Sequence, residues 1–261
     1  MEFIKFNKQT NLTNGERQPT INRQLLLFGV GWLGLNGIAL VVSLLIRSYL
    51  ATIYTDPVAL AAALRHISFS ASVNIISYAI LLAILGIMAF ETTKKFLATF
   101  YNLSNIVKGI GYGGLVLLAG MTLNVIYLVF KVQLSDNANE STITTIMKNY
   151  PLFSFFAFVI AGPICEELTY RLGLFGLLNR INRYVAYGIT FVFFGLIHFD
   201  FETTNLINEL LNLPFYLIAG LLFCYIYEKQ GLAVATYAHI TNNLASFLVS
   251  IFSTDVLIRM I

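Results

Sequence analysis

Charge is what this 261-residue chain has least of: Asp, Glu, Lys and Arg make up 11% of it, less than half the roughly 25% of an ordinary soluble domain. A mean hydropathy of +0.76 with 57% hydrophobic residues excludes the soluble globular class. The Lys and Arg residues form no run and the net charge is only +3, so the chain offers no surface for nucleic acid. Its two cysteines, Cys165 and Cys224, lie in or beside apolar segments; they make no disulfide framework and read as packing residues. No internal repeat or low-complexity stretch interrupts the chain, and no soluble domain is expected. Met1 to Arg23 is polar and lacks an apolar core with a cleavage site, so it does not read as a signal peptide.

Long apolar runs are what the chain has in abundance. A helix needs about 20 residues to cross the hydrocarbon, and Leu25–Ile46, Ile67–Phe90, Gly109–Phe130 and Leu232–Phe252 meet that length. Pro151–Ile164, Tyr184–Phe199 and Leu213–Tyr227 are shorter, and short apolar helices beside polar residues line cavities rather than lipid. An all-α, polytopic integral membrane bundle of seven spans is expected, or eight if Asn102–Lys108 or Leu174–Leu178 adds a partial helix. Its parts are a polar cytoplasmic N-terminus (1–24), motif-free helices (25–131) and a motif-bearing core (150–253), together one domain.

With the N-terminus inside, eleven of the sixteen Lys and Arg residues face the cytoplasm, Lys5, Lys8, Arg17, Lys94 and Lys95 among them, whereas Arg259 falls on the other side. The positive-inside rule therefore places the N-terminus in the cytoplasm. Short loops and the absence of targeting signals fit a bacterial plasma membrane. Gln133–Asn149 and Asp200–Asn212 are expected as polar loops on the opposite side.

Against this background Glu166, Glu167 and Arg171 stand at the end of the apolar run Pro151–Ile164. Each unpaired charge near a bilayer centre costs roughly 2.5–3.5 kcal/mol, so these groups must face a protein interior or a wet cavity. Glu167 and Arg171 are four apart with the carboxylate first, the favourable order for a pair on one helix face. Glu166 is turned about 100° away. The two glutamates are thus expected to differ chemically.

Phe194 and His198 share a face of the next apolar helix, as do His239 and Asn243 in the last. Each also has a structural reading: a buried ion pair, a satisfied interhelical histidine, an asparagine acting as helix glue, Asn242 included. His66, beside Arg65, reads as surface, and Cys165 lacks the surroundings of a nucleophile. As a set, the residues have hydrolytic chemistry. A carboxyl in a low-dielectric pocket can take and return a proton near neutrality, with a histidine holding the water. A second histidine and an asparagine amide can donate to a developing oxyanion. Glu166, His198 and His239 would alternatively serve as zinc ligands, although two histidines at close spacing on one helix are missing.

Glu166-Glu167 with Arg171, then Phe194 and His198, then His239 and Asn243, resemble the three motifs of the CPBP family of intramembrane proteases, also called Abi or CAAX-protease-like, across about Leu152 to Phe252. The resemblance implies a helical fold of about eight spans with a cavity open toward the cytoplasm. It implies that Glu166 and His198 activate water, that His239 and Asn243 stabilise the oxyanion, and that Glu167 and Arg171 support them. Both zinc-dependent and metal-free mechanisms are described for such proteins. The substrate it implies is a hydrophobic or lipid-modified peptide or protein reached from the membrane lipids. Three other classes compete: a non-catalytic scaffold such as a self-immunity or regulatory protein, acyl transfer on lipoproteins by the same residues, and a proton-coupled transporter, for which no inverted repeat is visible.

One geometric demand follows. If the fourth span ended at Arg171, Glu166 would lie about 8 Å from its end while His198 lay roughly 21 Å into its own span at 1.5 Å per residue. The fourth helix is therefore expected to run on toward Asn179, or the His198 helix to tilt strongly.

Overall fold

The structure, a computed structural model, describes residues 18–252, apart from the side chains of residues 90–97. Of the orientation-bearing residues, Lys5, Lys8, Arg17 and Arg259 and the side chains of Lys94 and Lys95 lie outside the described residues. Helices follow one another without a strand among the described residues: α1 (Ile21–Ile53), α2 (Pro57–Arg65), α3 (Ile67–Phe100), α4 (Leu103–Val129), α5 (Ala138–Asn149), α6 (Pro151–Leu178), α7 (Arg183–Leu196), α8 (Leu206–Gln230) and α9 (Leu232–Phe252).

Five of these are long and apolar enough to cross a membrane: α1, the Ile67–Ala89 part of α3, α4, α6 and α8. Of the seven expected segments, the other two are α7, a shorter apolar helix, and α9, which has 21 residues but carries His239, Asn242 and Asn243 within its apolar run. The expected partial helices are not separate elements. Asn102–Lys108 enters α4 at its capping residue, the Asn102 side chain accepting from the Ser104 N–H at 2.9 Å. Leu174–Leu178 is the end of α6, which runs on past Arg171, the first of the two alternatives left by the depth argument.

Gln133–Asn149, expected as a loop, instead holds α5, and Asp200–Asn212, expected as another, is helical from Leu206, where Asn205 caps α8 by accepting from the Asn208 N–H; for α5 too the reason is local. Asn137 caps it by accepting from the Glu140 N–H at 2.8 Å, an arrangement that satisfies one of a helix's orphan N–H groups. Ile143, Ile146 and Met147 then share one apolar cluster with Phe158 and Phe247. At α2, Asp56 caps and Pro57 occupies the first turn, the position where a missing N–H costs nothing.

Burial shows which helix is innermost. In its most apolar stretch α6 is 61% buried, against 11–33% for the other four spans, so α6 faces protein and they leave most of their apolar circumference exposed. Glycines permit the close approaches, as small residues do between membrane helices. Gly109 and Gly113 of α4 lie against α9, where a Cβ at Gly113 would stand 2.7 Å from the Ala238 carbonyl oxygen. Gly173 of α6 lies against α1, where a Cβ would stand 2.9 Å from the Phe28 nitrogen. The motif-bearing helices are thus braced by helices that carry no motif. Gly113→Leu is expected to destabilise the protein by about 1–3 kcal/mol through overpacking, read as earlier denaturation in detergent. Gly111→Leu and Gly114→Leu, where a Cβ meets nothing within 4 Å, should leave the transition in place; equal losses at all three would contradict the close α4–α9 contact.

Candidate active site

The chemistry sits on an irregular helix. Within α6, Phe155–Ala161 and Glu167–Phe175 are π-helical: the Gly162 N–H bonds to the Ala157 carbonyl and the Gly176 N–H to the Arg171 carbonyl, each five residues back. Such turns are rare and concentrate at functional sites. Between them Gly162–Glu166 is α-helical and carries Pro163. In the five-back register residue 163 would bond the Phe158 carbonyl, and proline has no N–H to give. The Asn243 amide of α9 fills that place, its Nδ2 donating to the Phe158 oxygen at 3.0 Å. Its Oδ1 accepts from Asn242 Nδ2 at 3.3 Å.

The second π segment carries the charges. Glu167 and Arg171 have fully buried side chains and meet at 3.2 Å, Nη1 to Oε1. The same Oε1 accepts from His239 Nδ1 at 2.9 Å. A carboxylate oxygen only accepts, so the hydrogen resides on Nδ1. His239 Nε2 consequently faces the other glutamate, 3.7 Å from Glu166 Oε2. Sequence spacing paired Glu167 with Arg171; the structure adds His239 to that pair and bridges both glutamates through it.

Aromatic rings frame this chain of charges. The Arg171 guanidinium stands 4.3 Å above the Phe194 ring and 5.2 Å from that of Phe223, which desolvates the cation while its positive charge meets the ring faces. His239 stacks on Phe223 at 4.4 Å between ring centroids. Phe194 touches both imidazoles, 6.0 Å from His239 and 5.0 Å from His198. Gly220 of α8 gives it room, since a Cβ there would lie 3.0 Å from the Phe194 ring.

The two glutamates differ as expected. Glu167 is sealed, whereas the Glu166 side chain keeps 17% of its surface. Glu166 Oε2 has no hydrogen-bond partner among the described residues. His198 lies just beyond α7, its Nδ1 hydrogen-bonded to the Phe194 carbonyl at 2.8 Å. A carbonyl likewise only accepts, so this bond places the hydrogen on Nδ1 and leaves Nε2 as an acceptor. Cys165 and Cys224 are buried free thiols.

Among the described residues no group of three or more His, Cys, Asp or Glu side chains is placed to hold a metal ion, so Glu166, His198 and His239 do not form a ready ligand set. Three contacts were invisible to sequence spacing because their partners lie on different elements: the His239–Glu167 bond, the Asn243 bond to the Phe158 carbonyl, and the stacking of Tyr216 on His198 with centroids 4.4 Å apart.

The comparisons with known proteins match the same region of the chain. Residues 148–245, which contain all seven motif residues, match the family model of type II CAAX prenyl endopeptidase Rce1-like proteins. A Bacillus subtilis (strain 168) protein named "Putative membrane peptidase YdiL" is 27% identical over 126 residues, covering 48% of this chain and 47% of that protein. The matched stretch thus spans about half the length of that relative. No solved structure matches this chain at a significant level. The matches support the CAAX-protease-like family for the motif-bearing region.

Asn243→Ala would leave the buried Phe158 carbonyl without its donor. It should lower stability by about 1–3 kcal/mol, measured as a shifted denaturation midpoint in detergent. An unchanged midpoint would show that the amide bond carries no structural weight.

Proposed function

We propose that this chain is an integral membrane endopeptidase, of a bacterial plasma membrane and with its N-terminus in the cytoplasm, that hydrolyses an amide bond of a hydrophobic or lipidated peptide or protein. The observation that supports it most is His239 held between Glu167 and Glu166, with the Phe194 ring touching the imidazoles of both His239 and His198. Water accepts a place between Glu166 and His198 Nε2. Glu166 takes its proton as the water oxygen bonds to the amide carbon, and the carbonyl oxygen becomes an oxyanion. His239 donates to that oxyanion through Nε2 when this nitrogen also carries a proton, Nδ1 being committed to Glu167. The proton on Glu166 then passes to the amide nitrogen, the C–N bond breaks, and the amine leaves. Arg171 and Glu167 hold His239 in place and touch no reacting atom. The Asn243 amide serves the α6 backbone in this arrangement, so its part in the oxyanion site is through the position of α9.

The substrate class rests on the surroundings. A site on an inner helix of a lipid-facing bundle is reached most directly by a chain that partitions into the bilayer. The test is complementation of a null strain, in the native host, by Glu166→Gln and Glu167→Gln, with membrane levels checked and mass spectrometry of small hydrophobic peptides and lipoproteins. Glu166→Gln is expected at wild-type levels with activity down at least about 100-fold and an uncut precursor accumulating; Glu167→Gln is expected to lose protein as well. Full complementation by Glu166→Gln would exclude catalysis through that residue and leave a scaffold. A lipid-modified product in place of a cleaved one would mark acyl transfer.

A further inference from the structure

His198 stands past the last residue of α7, where the helix no longer restrains the ring, yet the hydrolytic reading needs one particular nitrogen to face the reactants. Two residues outside the three motifs act on it. Tyr216 of α8 stacks on the imidazole almost in parallel, 12° between planes and 4.4 Å between centroids. Asn137, only 1% exposed, brings its Nδ2 within 3.3 Å of the His198 carbonyl oxygen and 3.2 Å of the Tyr216 hydroxyl. We propose that Tyr216 and Asn137 are positioning residues that lock the His198 ring in the one orientation that presents Nε2 to the site.

The segment that carries Asn137 is itself fastened. Glu209, 2% exposed, accepts from the Ala138 N–H through Oε1 at 3.0 Å and from the Asp200 N–H through Oε2 at 3.2 Å. A single carboxylate therefore clamps both the entry to α5 and the turn after His198. Asn212 Nδ2 donates to the Ser135 carbonyl at 2.8 Å, and the Ser135 N–H to Asn208 Oδ1 at 3.2 Å. The 135–138 strap is thus tied to α8 on the same end of the bundle as His198. A half-turn of the free imidazole would exchange Nδ1 for a carbon against the Phe194 carbonyl and lose that hydrogen bond; the stacked tyrosine, held at its hydroxyl, resists the tilt such a turn requires. What the ordered ring is for rests on the proposed hydrolysis, but its order can be measured without any substrate.

The chain has three histidines, so full-length protein labelled with nitrogen-15 and carbon-13 at histidine, in lipid nanodiscs, gives three ring systems. A His66→Gln sample removes the surface one, and loss of the His239 signals in His239→Gln completes the assignment. The wild type is expected to show a single Nδ1–H tautomer for His198, with ring protons shifted upfield by the stacked tyrosine. Tyr216→Phe, which keeps the ring and loses the hydroxyl, should retain the upfield shift. Tyr216→Leu should abolish it and let the second tautomer appear, with Asn137→Ala intermediate and the His239 signals unmoved in all three. A wild-type His198 that carries its hydrogen on Nε2, or that averages between tautomers, would overturn the proposal whether or not the variants fold. So would a folded Tyr216→Leu with an unchanged His198 spectrum. Because the readout is spectroscopic, a catalytically dispensable Glu166 would remove the hydrolytic reading and leave this result intact, and the reverse also holds.

Discussion

Everything in the site depends on how the Glu167 carboxylate is neutralised. Its side chain is completely buried in a lipid-facing bundle, and removing a carboxylate from water costs several kcal/mol even after the protein relaxes. Arg171 meets it from one turn along α6 and His239 from α9. Both partners share a single oxygen, so the position of one limits the position of the other. The result ties the helix of the first motif to the helix of the third and directs His239 Nε2 at Glu166. Glu166 is left partly exposed and chemically different from its neighbour in sequence, which is the condition for one glutamate to handle protons while the other holds the frame.

That frame is built from departures from regular structure that are matched by specific partners. The π register of α6 and the proline within it leave the Phe158 carbonyl to be satisfied from outside, and Asn243 does so. Because Asn243 is one turn beyond His239 on α9, the same contact sets the height of His239 against α6. Glycines at 109 and 113 bring α4 against the outer side of α9. Motif-free helices therefore contribute to the site by fixing how closely its two halves approach, not by supplying reactive groups.

Sequence reading reached the membrane class, the all-helical fold and the pairing of Glu167 with Arg171, because each rests on composition or on spacing within one helix. The continuation of α6 to Leu178 was one of two alternatives raised by the depth of Glu166 against His198, the other being a tilted His198 helix. The parts it missed depend on contacts between elements. Apolar runs ended at charged residues in Pro151–Ile164 and Leu213–Tyr227, but the helices did not end there: Glu167 and Arg171 neutralise each other within α6, and Glu228, just past the second run, pairs with Arg183. Polar composition hid α5, whose apolar face is only a few residues wide. His239 bound to Glu167, Asn243 bound to a backbone carbonyl, and Tyr216 stacked on His198 join residues distant in sequence with no local pattern to announce them.

A double-mutant cycle tests the central claim most directly. Glu167→Gln, His239→Gln and the double variant would be compared with the wild type by equilibrium unfolding in mixed detergent. Direct contact between two buried groups predicts a coupling of at least about 1 kcal/mol, within the 0.5–3 kcal/mol range seen for touching residues. Losses that simply add, to within about 0.5 kcal/mol, would mean that Glu167 does not hold His239, and the link between the first and third motifs would fail.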